Sequence, residues 1–208
     1  MSVSNVVARR SVSGIILAAG TSSRLGRPKQ LLDLGGEPLL RHTVRNARES
    51  GLHEVILVLG SRADEVAKAV GELSQWTVIN RDFATGQSTS LVAGLAAASP
   101  EADGVLVLLG DQPLVSTSAI DRLVGEYQAH RAPIVQAAFD GNPGNPVLFD
   151  RSLFPELSGV TGDEGARSVV RRFRDEVALV EVGDVADVFD VDTEADYARL
   201  VELWSKGK

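Results

Sequence analysis

The stretch Gly14-Ile-Ile-Leu-Ala-Ala-Gly-Thr-Ser-Ser-Arg-Leu-Gly-Arg-Pro-Lys29 decides how this chain is read. Its opening apolar run, residues 14–19, carries no charge and has the length of a strand buried on both faces. The run empties into a loop with two glycines, three hydroxyls, two arginines and a lysine, and no acid occurs between residues 14 and 32. Backbone amides freed by Gly20 and Gly26 can approach phosphate oxygens, while Arg24 and Lys29 can neutralise charge that develops in phosphoryl chemistry. The spacing is not that of a Walker A loop, because Gly20 and Gly26 enclose five residues and Pro28 precedes the lysine. No G-x-G triplet occurs in the chain, so the usual dinucleotide fingerprint is absent.

Outward from this loop, strand-like runs at 54–59, 76–79 and 104–109 alternate with stretches of helical period at 38–50, 63–73 and 88–98. A helix at 116–130 and a strand at 133–139 come next. The Gly/Pro-rich segment 141–146 then turns the chain into 147–149, which reads as a hairpin. Helices near 151–157 and 163–174, strands near 177–182 and 186–190, and a helix at 193–204 complete the pattern. The alternation predicts an α/β fold: a Rossmann-like open, mostly parallel sheet flanked by helices, with a small antiparallel insertion. One domain over 14–208, preceded by a flexible tail at 1–13, is the expected organisation. In such sheets ligands bind beyond the carboxyl ends of the strands, which is where the motifs fall.

Composition narrows the function classes. With 208 residues, 44% hydrophobic and 24% charged, the chain has ordinary globular usage, and its 5% aromatic content implies an aliphatic core. Zero cysteines exclude disulfides, thiolate metal sites and thiol nucleophiles, and they suit a reducing cytoplasm, the expected location. The net charge of −7 has the wrong sign for nucleic-acid binding, and no apolar run reaches membrane-spanning length. The first thirteen residues lack the layout of a secretory signal. Charge is nevertheless polarised: residues 175–196 hold nine acids and no base, so one end of the site suits an anion and the other a cation.

Lys29 is one of only four lysines among 21 basic residues, and a lysine in a loop that otherwise uses arginine suggests a point charge for phosphate. Asp111 closes the run 104–109, where a hard oxygen ligand suits Mg²⁺; the plainer reading is a turn residue before Pro113. Asp190 and Asp192 share a face of the last expected strand and could complete a metal site, orient an acceptor, or cap the final helix. The segment Gly86-Gln-Ser-Thr-Ser90 opens a helix, so its amides and hydroxyls can bond a base, ribose or phosphate, although Ser88 could simply cap. His42, His53 and His130 have no partner that suggests chemistry, and Trp76 and Trp204 read as packing residues.

The chain resembles the molybdenum-cofactor nucleotidyltransferases, specifically the cytidylyltransferase branch of the MobA-like NTP transferases. The likeness covers 14 to about 202 and rests on six motifs in the family's order: Leu17-Ala-Ala-Gly20 through Lys29, Thr85 to Leu91, Leu109-Gly-Asp-Gln-Pro113, Gly144-Asn-Pro-Val-Leu-Phe149, Gly162-Asp-Glu-Gly-Ala-Arg167 and Asp190-Val-Asp-Thr193. It implies transfer of CMP from CTP to the terminal phosphate of a molybdopterin-type acceptor, with release of pyrophosphate and with Mg²⁺ as cofactor. Lys29 and Arg24 are then catalytic; Leu17, Ala18, Ala19, Gly20, Gly26, Gly86, Ser88 and Ser90 bind nucleotide; Asp111 and Asp192 bind metal. Asn145, Arg167 and Asp190 bind the acceptor, received by an insertion at 141–174, and a molybdenum hydroxylase is an implied partner. Alanine at position 19 implies CTP rather than GTP, through a methyl that would narrow the base pocket. The chain departs from many cytidylyltransferases at Asn145 and Glu164, where those carry His and Lys. Other readings are a GTP-dependent guanylyltransferase, a cytidylyltransferase with another phosphate acceptor, an NAD(P)H-dependent nicotine blue oxidoreductase, and a binding-only maturation partner.

Overall fold

A computed structural model describes residues 10–22, 24–74, 76–130, 132–183 and 190–206. The elements follow in order as β1 (Val12–Ala18), a ribbon of β2 (Asp33–Leu34) and β3 (Glu37–Pro38), α1 (Leu39–Arg48), β4 (Glu54–Leu59), α2 (Ala63–Val70) and β5 (Thr77–Ile79). They continue with α3 (Gln87–Ala97), β6 (Gly104–Leu109), α4 (Thr117–His130), β7 (Ile134–Phe139), β8 (Asn142–Asp150), α5 (Phe154–Ser158), α6 (Arg167–Arg172), β9 (Val177–Gly183) and α7 (Glu194–Lys206). Seven strands form one sheet in the order β5-β4-β1-β6-β8-β7-β9. Only β8 runs against the rest.

Alternation along β1 explains the layers. Val12, Ile16 and Ala18 face one core, filled by Leu40 and Val44 of α1, Val66 of α2 and Ile120 and Leu123 of α4. Ile15 and Leu17 face the other, filled by Leu91 and Leu95 of α3, Leu157 of α5 and Val169 of α6. With both faces covered, β1 reads as an apolar run interrupted only by Ser13, which is buried and donates to Glu54 at 2.6 Å. From β1 the chain moves outward to β4 and β5, then crosses back to β6 on the other side of β1. The carboxyl ends of β1 and β6 therefore flank a topological switch point, where this class of sheet opens a crevice.

Three expectations change. The strand expected from residue 14 starts at Val12, and the tail expected through 13 is pinned from Arg10 onward. Arg10 pairs with Asp150 at 3.0 Å, the Ser11 amide donates to Asp103 at 2.9 Å, and Val12 is buried. The expected antiparallel hairpin is present as β7–β8, but within the main sheet and with a tighter turn: β8 pairs with β6 as well as β7, and the turn is only Asp140-Gly141, both at positive φ. The helix expected over 163–174 is cut to Arg167–Arg172, because Gly162 and Gly165 adopt left-handed conformations before it. The strand expected at 186–190 falls, apart from Asp190, outside the described residues. Among the described residues no helix is long and apolar enough to cross a membrane.

A third, smaller core attaches α7 to the loop and ribbon after β1. Leu200 and Val191 pack with Leu32, Leu34 and Leu39, and Leu25, Tyr197 and Trp204 close the edges. His42 belongs here too: its ring lies 4.4 Å from that of Trp204, and Nε2 sits 2.8 Å from the Leu34 carbonyl. Trp76, expected to pack, is 63% exposed at the start of edge strand β5.

Candidate active site

The crevice at the switch point is a cleft of about 370 Å³. Leu17, Ala18, Ala19 and Gly20 from the end of β1 line one side; Leu109, Gly110 and Asp111 from the end of β6 line the other. Gly86 and Ser90 come in from the start of α3, and Lys29, Asp190 and Asp192 close the charged end. The opening loop and the acidic C-terminal stretch, whose Lys29 and Asp192 are 163 positions apart, thus meet in one place.

The charged end is organised by Lys29. Its ammonium donates to Asp111 Oδ2 in a short contact and to Asp192 Oδ1 at 3.3 Å. Burial alone would lower the Lys29 pKa, but the two carboxylates outweigh it and hold the ammonium above its ordinary value. Burial pushes Asp111 the other way, above the usual carboxylate range, with Lys29 opposing and Asp190 adding to the shift. Arg24 reaches Asp192 Oδ2 at 2.7 Å from an adjoining hollow that it shares with Ser22 and Leu25.

Buried amides brace this arrangement. Gln30, 2% exposed, donates to the carbonyls of Ala18 at 2.9 Å and Gly20 at 3.3 Å, fixing the exit of β1. Gln112, 4% exposed, donates to Asp190 Oδ1 at 3.1 Å. The Oε1 atoms of both amides are buried without a partner among the described residues. Gln30 follows Lys29 and Gln112 follows Asp111, and this adjacency is their only trace in the sequence; their burial is not written there. Asp163 and Gln87 also line the cleft; each lies inside a motif quoted from the sequence, 162–167 and 85–91, without having been assigned a role of its own.

A second cleft of about 370 Å³ lies alongside and shares Leu17, Gln87, Leu109 and Arg167 with the first. Its floor is apolar, from Val107, Val147 and Val170, and its polar wall comes from Gln136, Asn145 and Arg167. Asn145 is delivered by an irregularity in the β7–β8 pairing. Gln136 opposes Val147 while Ala138 opposes Pro143, so residues 144–146 bulge out, tethered by a 3.1 Å bond from Gln136 Nε2 to the Gly144 carbonyl.

Four other expected site residues have surroundings that their sequence does not indicate. Asp190, expected to bind the acceptor, stands in the first cleft beside Asp111, held there by Gln112. Ser88 is 1% exposed and does not line either cleft, because its amide is drawn to the Gly162 carbonyl at 3.1 Å. Gly26 lies on an exposed turn at φ 64, where it lets the loop reverse, and does not line the first cleft. The Ala19 methyl packs against Gly60, where an added side-chain carbon would come within 2.8 Å of it, so this methyl is part of the packed floor.

The donor set also bears on metal binding. Among the described residues no three His, Cys, Asp or Glu side chains are grouped to hold an ion alone. What converges is two carboxylates on one ammonium, with a third acid on the same cleft wall. Mg²⁺ takes one or two carboxylates and completes its shell with waters and substrate phosphate, so this set fits it.

A switch-point cleft with a cationic loop on one lip and carboxylates on the other suits a phosphorylated ligand together with a divalent ion, as in nucleotide-binding proteins of the open α/β class. The family model for the MobA-like NTP transferase domain matches residues 14–177, and the chain belongs to that family. It is 35% identical to the nicotine blue oxidoreductase of Paenarthrobacter nicotinovorans over 91% of this chain and 96% of that one. The solved structure of Rv0371c from Mycobacterium tuberculosis in complex with manganese is 33% identical, with a TM-score of 0.78 over 92% of this chain and 98% of that one. A nucleotidyl transferase from Methanothermobacter is 26% identical, with a TM-score of 0.80 over 95% and 99%.

Proposed function

We propose that the protein transfers CMP from CTP to the terminal phosphate of a molybdopterin-type acceptor and releases pyrophosphate, forming a cytosine dinucleotide that would serve a molybdenum hydroxylase in the cytoplasm. The observation that carries this reading is the meeting of Lys29, Asp111 and Asp192 in a cleft that shares a wall with a second, partly apolar cleft. The first takes the nucleoside triphosphate, with Ala18, Ala19, Gly86 and Ser90 around base and ribose. The second takes the acceptor, with Asn145 holding its polar edge and apolar side chains beneath a flat ring.

Asp111 and Asp192 would hold Mg²⁺, which would supply neutralisation of phosphate charge. Lys29, released from its carboxylates, donates to the departing pyrophosphate, and Arg24 holds the outer phosphates. The acceptor phosphate is anionic at neutral pH and needs no general base, so the chain's task is alignment and charge stabilisation.

The test is pyrophosphate release in Mg²⁺ with CTP, GTP or ATP, each with and without molybdenum-loaded molybdopterin. Release from CTP that requires the pterin is the expected result; release from GTP alone overturns the choice of base. The relative named as a nicotine blue oxidoreductase supports a second reading, a nicotinamide-dependent reductase. Oxidation of NADPH by a quinonoid dye, with no release of pyrophosphate from any nucleotide, would favour it.

A further inference from the structure

Resting on that transfer reading, we infer that Arg167 and Gln87 are catalytic residues at the junction of the two clefts, in contact with the phosphoryl group in transit. The two clefts share four lining residues, and the other two, Leu17 and Leu109, are apolar. Any phosphorus that passes from a guest in one cleft to a guest in the other must cross this shared wall. Arg167 and Gln87 are the polar side chains available there.

The state of the surrounding charges supports the assignment. Arg171, also on the acceptor cleft, is held by Glu164 at 2.5 Å. Arg174 lies 3.6 Å from Asp175, and Arg24 and Lys29 are engaged by Asp192 and Asp111. Among the described residues the Arg167 guanidinium makes no ion pair, and the Gln87 carboxamide makes no hydrogen bond. Gln87 also lines the hollow beside Arg24, so it touches all three spaces that converge on the loop. An unpaired fork of donors facing both clefts is suited to the equatorial oxygens of a phosphoryl group.

The two residues are held in fixed relation by the backbone that carries them. Gly86, at φ 130, approaches the 162–165 turn so closely that a side-chain carbon on it would stand 2.5 Å from the Gly162 carbonyl oxygen. The Ser88 amide donates to that same oxygen at 3.1 Å. On the other side, a carbon on Gly165 would lie 3.0 Å from Gln87 Oε1. The start of α3, bearing Gln87, and the turn leading to Arg167 are thereby locked together.

In the step itself an acceptor phosphate oxygen forms a bond to the α-phosphorus of the nucleotide. The bond from that phosphorus to the bridging oxygen of the β-phosphate breaks, and its electron pair leaves with pyrophosphate. Arg167 and Gln87 donate to the non-bridging oxygens, whose charge is shared differently as the bonds exchange. This separates the role from anchoring: an anchor in the acceptor cleft sets acceptor KM, whereas a group on the transferring phosphoryl sets kcat.

The experiment compares wild type, Arg167→Ala, Arg167→Lys, Gln87→Ala and Gln87→Glu in steady-state pyrophosphate release from CTP and molybdenum-loaded molybdopterin. Thermal melting confirms folding. Arg167→Ala should lower kcat by about 100-fold or more with both KM values little changed, Arg167→Lys should regain part of it, and Gln87→Ala should cost about 10-fold. Unchanged kcat with a raised acceptor KM would overturn the proposal. A binding arm needs no turnover: titration of CTP, of free molybdopterin and of the cytosine dinucleotide, whose pyrophosphate bridge spans the junction. Arg167→Ala should weaken the dinucleotide by about 10-fold or more and CTP or free molybdopterin hardly at all; an equal loss for molybdopterin, or no loss for the dinucleotide, would overturn it. Wild type that neither binds CTP nor releases pyrophosphate would sink the transfer reading itself, which is a different outcome from a folded, active Arg167→Ala.

Discussion

A single ammonium settles how the acids of this cleft are arranged. Asp111 is buried, and a carboxylate there is costly unless paired; Lys29 supplies the pair and Asp192 shares it. Lys29→Ala should reduce kcat for transfer by about 100-fold or more, with the protein still folded, as read by steady-state rates beside a melting curve. The same pair predicts an alkaline transition. Because the Lys29 pKa is raised in the fold above 10.5, its stabilisation is complete below that value and is lost as pH rises through the raised one. Melting temperature followed upward from neutral pH should show this loss in wild type and not in Lys29→Ala.

At the scale of elements, the loop after β1 is held by α7, which lies beyond the residues matched by the family model. Arg27 donates to both carboxylate oxygens of Glu194 at 2.9 Å, and its guanidinium lies 5.5 Å from the centre of the Tyr197 ring. Tyr197 in turn donates to the Asp33 carbonyl at 2.6 Å, so the loop and the ribbon hang on one helix. The start of that helix is itself fixed, since the Thr193 amide and hydroxyl both donate to Asp196 and the Asp196 amide donates back. The Arg27 pair is exposed, so Arg27→Ala or Glu194→Gln should change stability by less than about 1 kcal/mol. Amide exchange in the 20–28 loop should nevertheless quicken in both variants, and the swap Arg27→Glu with Glu194→Arg should restore it. Unaltered exchange in the single variants would show that the apolar contacts of Leu25 suffice.

The whole molecule is closed at its opposite end by Asp150, far from the chemistry. It accepts from Arg10 at 3.0 Å, from Tyr127 Oη at 2.8 Å and from the Ser152 amide at 2.9 Å, joining the lead-in to β1, α4 and the end of β8. Burial alone would raise its pKa, but these donors lower it below the ordinary value. Its stabilisation is therefore present above 3.8 and disappears as pH falls through the lower folded value. Asp150→Asn should cost about 1–3 kcal/mol at neutral pH in urea unfolding, and the difference should shrink in acid. A difference that stays constant with pH would mean that the carboxylate charge is not what matters.

Parts of this molecule were plain from the residue order. Strands buried on both faces are short and mostly apolar, so β1, β4 and β6 and their helices are legible without coordinates, and motifs after those strands fall at the crevice. Asp111 could be chosen because it follows a buried strand at its carboxyl end, and Lys29 because it is a rare lysine in the basic loop after β1. Local patterns do not encode which distant partners meet. Asp190 joins the first cleft because Gln112 holds it there, Ser88 is pulled away by the Gly162 carbonyl, and β8 enters the main sheet by pairing with β6. Gln30, Gln112, Gln87 and Arg167 gain their positions from burial and from a shared wall between two clefts, which are properties of packed surfaces rather than of periodicity. Sequence alone thus determined the layers and the chemistry of the loop; only the tertiary structure decided which side chains face one another, because long-range contacts are fixed by packing across elements that share no local signal.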